Sequence, residues 1–219
     1  MGIVKLDGIC KSYGEQRVLT NFSYTFITGK ITAITGPSGS GKSTLLNIIG
    51  LLERPDRGRV EIFNQSNINP ATRRAMLLLR HKIGYLFQNF ALIDNQTVKE
   101  NLLVALAYRK GDKNRMIAKA LENVGLAGFE KKKVYQCSGG EQQRIAVARL
   151  LLKPCELVLA DEPTGSLDEG NKRTIFSLLR LLQESGKTII VVSHDPEVID
   201  LCHEEISLED YKERMTAAN

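Results

Sequence analysis

The sequence contains no tryptophan, and aromatic residues make up only 6% of its 219 residues. This scarcity gives no sign of an aromatic platform on which nucleic-acid bases could stack. No apolar run approaches the ~20 residues that a membrane-spanning helix needs, so we expect no transmembrane segment. The N-terminal stretch MGIVKLDGIC lacks the basic region and apolar core of a signal peptide. Leu6 also departs from the N-myristoylation pattern, which has serine or threonine at that position.

Cysteine is scarce as well. The four cysteines, Cys10, Cys137, Cys155 and Cys202, lie far apart and form no C-x-x-C pair. Their spacing matches neither a zinc site nor a disulfide framework, so it favours a reduced, cytoplasmic environment.

Positive charge is concentrated in one stretch. The chain has a formal net charge of +5, and the stretch 109–133 holds eight basic residues against three acidic ones. The whole excess therefore lies there, and the remainder of the chain is neutral. We interpret the stretch as a solvated helical face. A surface facing anionic lipid headgroups or nucleic acid is the alternative.

Strand and helix patterns alternate along most of the chain. The first ~35 residues are typical of strands. Beyond residue 150, the apolar strands ELVLA, TIIVVS and EEISL alternate with helical stretches at about 168–184 and 196–201. Such alternation indicates an α/β fold with a parallel sheet that is covered on both faces. The stretch from about 90 to 150 is purely helical, and we predict that it is a subdomain inserted into the α/β core.

A glycine-rich loop follows the apolar strand ITAIT and precedes a helix. The run GPSGSGKST fits G-x-x-x-x-G-K-[ST], a pattern typical of loops that hold nucleotide phosphates. Its glycines let successive backbone N–H groups point at phosphate oxygens, and the helix N-terminus adds positive potential. We expect Lys42 to reach the β- and γ-phosphates and the Ser43 hydroxyl to bind Mg²⁺. The candidate ATP-binding residues of the loop are Gly36, Pro37, Ser38, Gly39, Ser40, Gly41, Lys42, Ser43 and Thr44.

Polar side chains follow three further strands. Asp161 and Glu162 end the strand LVLA, and alternation should point them in different directions. We expect Asp161 to bind Mg²⁺ through water and Glu162 to polarise a water that attacks the γ-phosphate. Ligands of open α/β sheets bind beyond the carboxyl ends of the strands. His194 and Gln88 also follow strands, so we predict that His194 contacts the γ-phosphate and that Gln88 binds Mg²⁺ and the attacking water.

The stretch YQCSGGEQQR places two glycines at the start of a helix. Ser138 and Glu141 form a capping-box pattern, which does not explain Gly139 and Gly140. Each glycine costs up to ~1 kcal/mol in a helix, but glycines leave the helix N-terminus bare enough for a phosphate to approach. Because the chain already has one phosphate loop, we predict a composite site whose second half comes from another copy.

The run CSGGEQQR resembles the signature motif of ATP-binding-cassette (ABC) ATPases, LSGGQ followed by Q-x-R. The other motifs occur in the matching order, and the resemblance extends from about residue 3 to residue 208. By this resemblance, Gln88 lies in the glutamine loop, Gly165–Asp168 (GSLD) is the D-loop with Asp168 in it, His194 is the switch histidine, and Tyr13 is the aromatic residue that stacks on adenine.

The resemblance implies a P-loop NTPase core of the ABC type, with an antiparallel β subdomain and an inserted helical subdomain. We expect a single domain over 1–219, with the core in 1–89 and 151–219 and the helical subdomain in 90–150. It also implies a head-to-tail homodimer that binds ATP and Mg²⁺. Each ATP would lie between the phosphate loop of one protomer and Ser138, Gly139, Gly140 and Glu141 of the other.

Finer resemblance points to a subgroup. The runs GYLFQNFALI, GGEQQRIAVAR and ADEPTGSLD are most similar to lipoprotein-release, macrolide-export and cell-division ATPases, and bacteriocin-export ATPases are similar too. Such ATPases drive a separate integral-membrane permease, often by mechanotransmission. This implies a place on the cytoplasmic face of the membrane, held by the permease, with no nucleic-acid partner. The helical subdomain and the loop FALIDNQTVKEN are the expected permease contacts.

Alternatives and departures remain. A soluble chromosome or repair ATPase would use the same composite site, but such proteins carry long coiled coils or extra domains, and about 50 residues separate Gln88 from Ser138 here. A P-loop kinase would leave the signature unexplained.

Cys137 replaces the usual leucine of the signature. We interpret it as a small buried apolar residue, and an oxidation-sensitive thiol is the alternative.

Overall fold

The computed structural model describes residues 2–165 and 168–211. The strands are β1 (Gly2–Tyr13), β2 (Gln16–Ile27), β3 (Ile31–Thr35), β4 (Arg57–Ile62), β5 (Gln65–Ser66), β6 (Ile83–Leu86), β7 (Leu157–Asp161), β8 (Thr188–Val192) and β9 (Glu204–Ser207). The α-helices are α1 (Lys42–Ile49), α2 (Arg73–His81), α3 (Val98–Leu103), α4 (Lys113–Asn123), α5 (Gly139–Leu152), α6 (Glu169–Glu184) and α7 (Pro196–Asp200). Ser166 and Leu167 of the predicted D-loop lie outside the described residues.

Four strands form an antiparallel sheet in the order β2-β1-β4-β5. A two-residue turn joins β1 to β2, and Gly14 in it has a φ of 58°, which glycine adopts without steric cost. Gly58 lies in β4, which pairs with β1, and a Cβ on it would lie 2.5 Å from the carbonyl oxygen of Gly8 in β1. Only glycine allows this close approach, because any side chain would collide with backbone.

Five strands form a parallel sheet in the order β6-β7-β8-β3-β9. Every residue of β3 and β8 is buried, so these strands are apolar runs instead of alternating patterns. Central strands of a parallel sheet have this property because both faces are covered. The predicted parallel sheet is therefore present.

The two faces of the parallel sheet belong to different hydrophobic clusters. Ala33, Val158 and Ile189 pack with residues of α3 to α6. Ile34 and Ile190, one residue further along their strands, pack with α1, α2 and the antiparallel sheet. Successive strand residues point to opposite faces, so one short apolar strand contributes to both clusters. The parallel sheet is thus the middle layer of the molecule.

Between β6 and β7 the chain forms α3, α4 and α5, which pack on one another. The Thr97 hydroxyl and the Glu100 carboxylate form a capping box at the start of α3, and Asp112 caps α4. These caps satisfy N–H groups that the first turn of each helix leaves free. The predicted subdomain boundaries at 90 and 150 stay a prediction, and α5 runs two residues past the second of them.

Candidate active site

The carboxyl ends of four parallel strands meet at one edge of the sheet. The registers pair Leu86 with Ala160, Asp161 with Val192, and Ile34 with Val192, so the ends of β6, β7, β8 and β3 lie level. Predicted site residues lie at these strand ends or within two residues of them. The sheet therefore collects Gly36, Gln88, Asp161, Glu162 and His194 at a common edge.

The phosphate loop lies between β3 and α1. Three of its glycines have positive φ angles: 138° at Gly36, 77° at Gly39 and 105° at Gly41. A Cβ on Gly41 would lie 2.7 Å from the Val18 side chain, whereas one on Gly39 would meet nothing within 4 Å. Lys42 Nζ donates to the carbonyl oxygens of Gly36 and Pro37, at 2.8 and 2.9 Å. The loop is curled tightly against β2 and is open on the Gly39 side.

A cavity of about 230 Å³ lies over this loop, and its lining residues are Gln16, Val18, Gly39, Gly41, Lys42, Ser43 and Thr44. It contains the N-terminus of α1, where free N–H groups and the helix dipole favour an anion. The Ser40 hydroxyl is buried and has no hydrogen-bond partner among the described residues. An ammonium group, open backbone and a helix start together fit the phosphates of a nucleotide.

Ser43 and Asp161 bring a hydroxyl and a carboxylate together. Ser43 Oγ donates to Asp161 Oδ1 over 3.3 Å, which links the start of α1 to the end of β7. Burial raises the pKa of the Asp161 carboxyl, and the hydrogen bond from Ser43 opposes that shift. One carboxylate and one hydroxyl, with substrate phosphates, are the kind of oxygen set that Mg²⁺ binds. These residues fit the predicted metal position.

The Glu162 carboxylate contacts His194. The Glu162 Oε1 atom lies 3.0 Å from Nδ1 of His194. Glu162 has a φ of 45°, which costs a non-glycine residue on the order of 1–3 kcal/mol. Its N–H donates to the carbonyl of Val192, and its carbonyl accepts from Gly165 N–H. These bonds hold the unusual backbone, and strained backbone of this kind clusters at functional sites.

Gln88 lies in an exposed turn beside the segment that follows Glu162. Its Nε2 atom is 3.7 Å from the position that a Cβ on Gly165 would take. The amide of Gln88 is thus close to the acidic strand end. Residues 36–44, Gln88, Asp161, Glu162 and His194 therefore share one region of the molecule.

Tyr13, at the end of β1, is 48% exposed, and its hydroxyl is held by a carboxylate. The hydroxyl lies 2.6 Å from both carboxylate oxygens of Glu53. Lys11 Nζ pairs with Glu53 at 3.1 Å and lies 5.3 Å from the centre of the Tyr13 ring. The bond to Glu53 raises the pKa of the Tyr13 phenol. Sequence reasoning missed Glu53, because nothing in its turn (LERPD) marks a partner 40 residues away.

The predicted capping box at α5 is present. Glu141 N–H donates to Ser138 Oγ at 3.3 Å, and Ser138 N–H donates to the Glu141 carboxylate at 2.8 Å. Lys132 pairs with Glu141 at 3.0 Å. Burial is the largest single influence on the Glu141 carboxyl, and it raises the pKa. The charge of Lys132 and the hydrogen bonds from Lys132 and Ser138 together outweigh it, so the pKa is lowered. Ser138 and Gly139 are exposed, so the start of α5 is accessible from outside the chain.

Cys137 precedes the cap of α5, and Asp168 is the cap of α6. Cys137 is 7% exposed, and burial raises the pKa of its thiol, with Lys132 opposing the shift. This matches the interpretation of a small buried residue. Asp168 caps α6 by accepting from Asn171 N–H at 2.9 Å. This is the usual bond of an N-cap aspartate, and Asn171 is not among the predicted site residues.

Comparison with known proteins identifies the family. Residues 19–165 match the family model described as ABC transporter. The chain therefore belongs to the ABC transporter family, as the motif order predicted.

Curated relatives fall in the predicted subgroup. The chain is 40% identical over 221 residues to the lipoprotein-releasing system ATP-binding protein LolD 1 of Rhodopseudomonas palustris, covering 96% of this chain and 97% of that protein. It is 38% identical over 219 residues to the macrolide export ATP-binding/permease protein MacB of Hyphomonas neptunium, covering 96% of this chain and 34% of that one. The chain thus spans about a third of the length of its MacB relatives.

Solved structures agree. A dimeric post-hydrolysis state of the ATP-binding cassette MJ0796, bound to ADP and Pi, has a TM-score of 0.84 and 38% identity and covers 93% of each chain. A second dimeric structure of MJ0796 has a TM-score of 0.82 and 37% identity and covers 94% of each chain. These likenesses confirm the ABC ATPase fold and the assignment of the chain as an ATP-binding, ATP-hydrolysing subunit. The chromosome or repair alternative is not favoured.

Proposed function

We propose that this chain is the ATPase subunit of an export or release machine, in which two copies close head-to-tail around two ATP and drive a separate permease. One observation carries the proposal: a phosphate loop and an acidic strand end share one edge, while a capped helix start at Ser138 and Gly139 faces outward. A single chain thus has both halves of a composite site. The lipoprotein-release and macrolide-export relatives support the transport role.

The phosphate-binding roles follow from charge and position. Lys42 binds the β- and γ-phosphates, together with backbone N–H groups of the loop. Ser43, Gln88 and Asp161 would hold Mg²⁺, with Asp161 acting through water. When bound, Mg²⁺ neutralises negative charge that develops on the transferred phosphoryl group.

The hydrolytic roles fall to the Glu162–His194 pair. Glu162 accepts a proton from the attacking water, and His194 orients the carboxylate and contacts the γ-phosphate. Tyr13, which is 48% exposed, stacks on adenine. From the partner protomer, Ser138, Gly139, Gly140 and Glu141 meet the same ATP at the start of α5, where helix N–H groups favour phosphate. Asp168 lies in the D-loop, between the two ATP sites of the dimer.

A groove beside the Gln88 turn provides the surface for the permease. It has a volume of about 630 Å³, and the residues that line it include Tyr85, Phe87, Tyr108, Arg149 and Lys153. Five of its lining residues are Arg, His or Lys, and none of the described lining residues is acidic. An amphipathic permease segment with acidic side chains would fit both the apolar wall and the charge.

Position in the cell follows from the partner. None of the helices in 2–165 and 168–211 has the length and hydropathy to cross a bilayer. We place the subunit on the cytoplasmic face of the membrane, where the permease holds it. Residues of the proposed core (1–89 and 151–219) and of the proposed helical subdomain (90–150) both line the groove beside the Gln88 turn.

The test is to trap the complex in cells. Tagged Glu162→Gln protein should accumulate in its ATP-bound dimer and co-purify, after gentle detergent extraction, with a permease that has few membrane helices and a large extracytoplasmic domain. Tyr108→Ala in the same background tests the groove, because Tyr108 lines it and is 67% exposed. It should lose the permease but keep ATP-dependent dimerisation. Recovery of a soluble nucleic-acid complex, with no membrane protein, would overturn the proposal.

A further inference from the structure

The side chain of Asn171 lies between the starts of α5 and α6. Its Nδ2 donates to Asp168 Oδ2 at 2.7 Å, while its own N–H donates to Asp168 Oδ1 at 2.9 Å. On its other side, Asn171 Oδ1 accepts from Arg144 Nη1 at 2.8 Å. The amide is therefore bound at both ends, and its orientation is fixed by one residue of the D-loop and one residue of α5.

Gly140 packs directly on this amide. A Cβ on Gly140 would lie 2.4 Å from Asn171 Oδ1 and 2.5 Å from its carbon Cγ, closer than real Cβ contacts allow. A Cβ on Gly139 would meet nothing within 4 Å. Neither glycine has a positive φ, so backbone conformation requires glycine at neither position. Space inside the same chain requires it at Gly140.

Arg144 makes loss of the Asn171 side chain more unfavourable. Its Nε is buried and has no hydrogen-bond partner among the described residues, while Nη1 is satisfied by Asn171. Removing the Asn171 amide would leave a second donor of the guanidinium unpaired, and an unpaired buried donor is unfavourable. Asn171 therefore provides the polar link between the starts of α5 and α6, beside the apolar packing of the two helices.

We propose that Asn171 is a positioning residue that fixes the start of α5 to the start of α6, and that position 140 is glycine to admit it. The inference rests on the proposed function, because in a head-to-tail dimer these helix starts serve different ATP molecules. The start of α5 meets the ATP of the partner, whereas the segment that leads into α6 continues from Glu162 of the chain's own site. Asn171 joins the two.

The test is second-site suppression. Gly140→Ala alone should lower the ATPase rate by about tenfold or more, the size of coupling expected for residues in direct contact. In an Asn171→Ala background the new methyl group has room, so adding Gly140→Ala should cause little further loss. Asn171→Ala itself should lower kcat and ATP-induced dimerisation and leave ATP binding by the monomer unchanged.

Gly139→Ala is the matched control, because a Cβ at position 139 would meet no atom of the chain within 4 Å. Its effect should be the same in the wild-type and Asn171→Ala backgrounds. If Gly140→Ala is as damaging in the Asn171→Ala background as alone, position 140 is glycine for the partner's ATP and the proposal is wrong.

Thermal unfolding gives the same answer should Gly140→Ala fail to fold. Asn171→Ala should then restore folding of the Gly140→Ala chain, and a double variant that stays unfolded contradicts the packing. Thermal unfolding of the variants tests the packing alone, whereas ATP-driven dimerisation of the wild type tests the proposed function. Failure of one can therefore be told apart from failure of the other.

Discussion

Nδ1 of His194 lies 3.0 Å from Oε1 of Glu162, at the ends of two adjacent parallel strands. The His194 side chain is 75% exposed and the Glu162 side chain only 18%. The imidazole thus holds the carboxylate of a residue that has a left-handed backbone conformation at the strand end. A carboxylate positioned in this way can accept a proton from water.

Glu162→Gln should retain ATP binding and lower the rate of hydrolysis by ~10²–10⁴-fold, the usual contribution of a positioned general base. The amide keeps the size of the side chain but does not accept the proton. Steady-state phosphate release and nucleotide binding would be measured together, with the exposed Glu184→Gln as control. Hydrolysis at the wild-type rate would show that another group is the base.

Lys42→Ala should weaken nucleotide binding itself, because the ammonium group is the cation that the loop provides for phosphates. Calorimetric titration with ATP would measure the loss, and Lys110→Ala, on an exposed residue, should bind ATP normally. Equal affinities for the two variants would contradict the assignment of Lys42.

Ser138→Arg should abolish dimer-dependent hydrolysis and leave ATP binding by the monomer largely intact. The change removes the cap of α5 as well as adding bulk, and loss of a cap costs about 1 kcal/mol. Ser138→Ala is therefore the control, since it removes the cap alone. Light scattering with ATP would report dimerisation. Loss of monomeric ATP binding in the arginine variant would argue that the start of α5 serves its own chain's nucleotide.

Gly50→Ala should lower the free energy of unfolding by ~1–3 kcal/mol, the range for overpacking a filled core. Gly50 ends α1 with an ordinary φ of −80°, but a Cβ there would lie 1.4 Å from the Tyr85 hydroxyl oxygen. That hydroxyl donates to the carbonyl of Leu46. Urea unfolding would measure the change. Gly170→Ala, with no atom closer than 3.4 Å, should be neutral or stabilising, and equal losses would refute the steric explanation.

Cys137 should react slowly with iodoacetamide at neutral pH. Burial raises the pKa of its thiol, so the reactive thiolate is scarcer in the folded chain than in the unfolded one, and labelling should accelerate as the pH rises. Mass spectrometry of folded protein and of urea-unfolded protein gives the comparison. Equal labelling rates at neutral pH would favour the alternative of an oxidation-sensitive thiol.

Tyr13 illustrates a contact that no local pattern contains. The resemblance implies that its ring stacks on adenine, but its hydroxyl is bound by Glu53, 40 residues later. The pairing depends on how the turn after α1 folds back beside β1. Periodicity and motif spacing describe neighbours along the chain, and they carry no information on such a pairing.

The sequence by itself determined the α/β alternation, the phosphate loop, the capping box of Ser138 and Glu141, and the convergence of polar residues at one sheet edge. These features depend on residues close in sequence and on the rule that parallel strands end at a common edge. Only the tertiary structure decided the left-handed backbone at Glu162 and the contact of Gly140 with Asn171. Both depend on how separate elements pack, because the hydrogen bond to Val192 and the approach of α6 to α5 join parts of the chain that are distant in sequence.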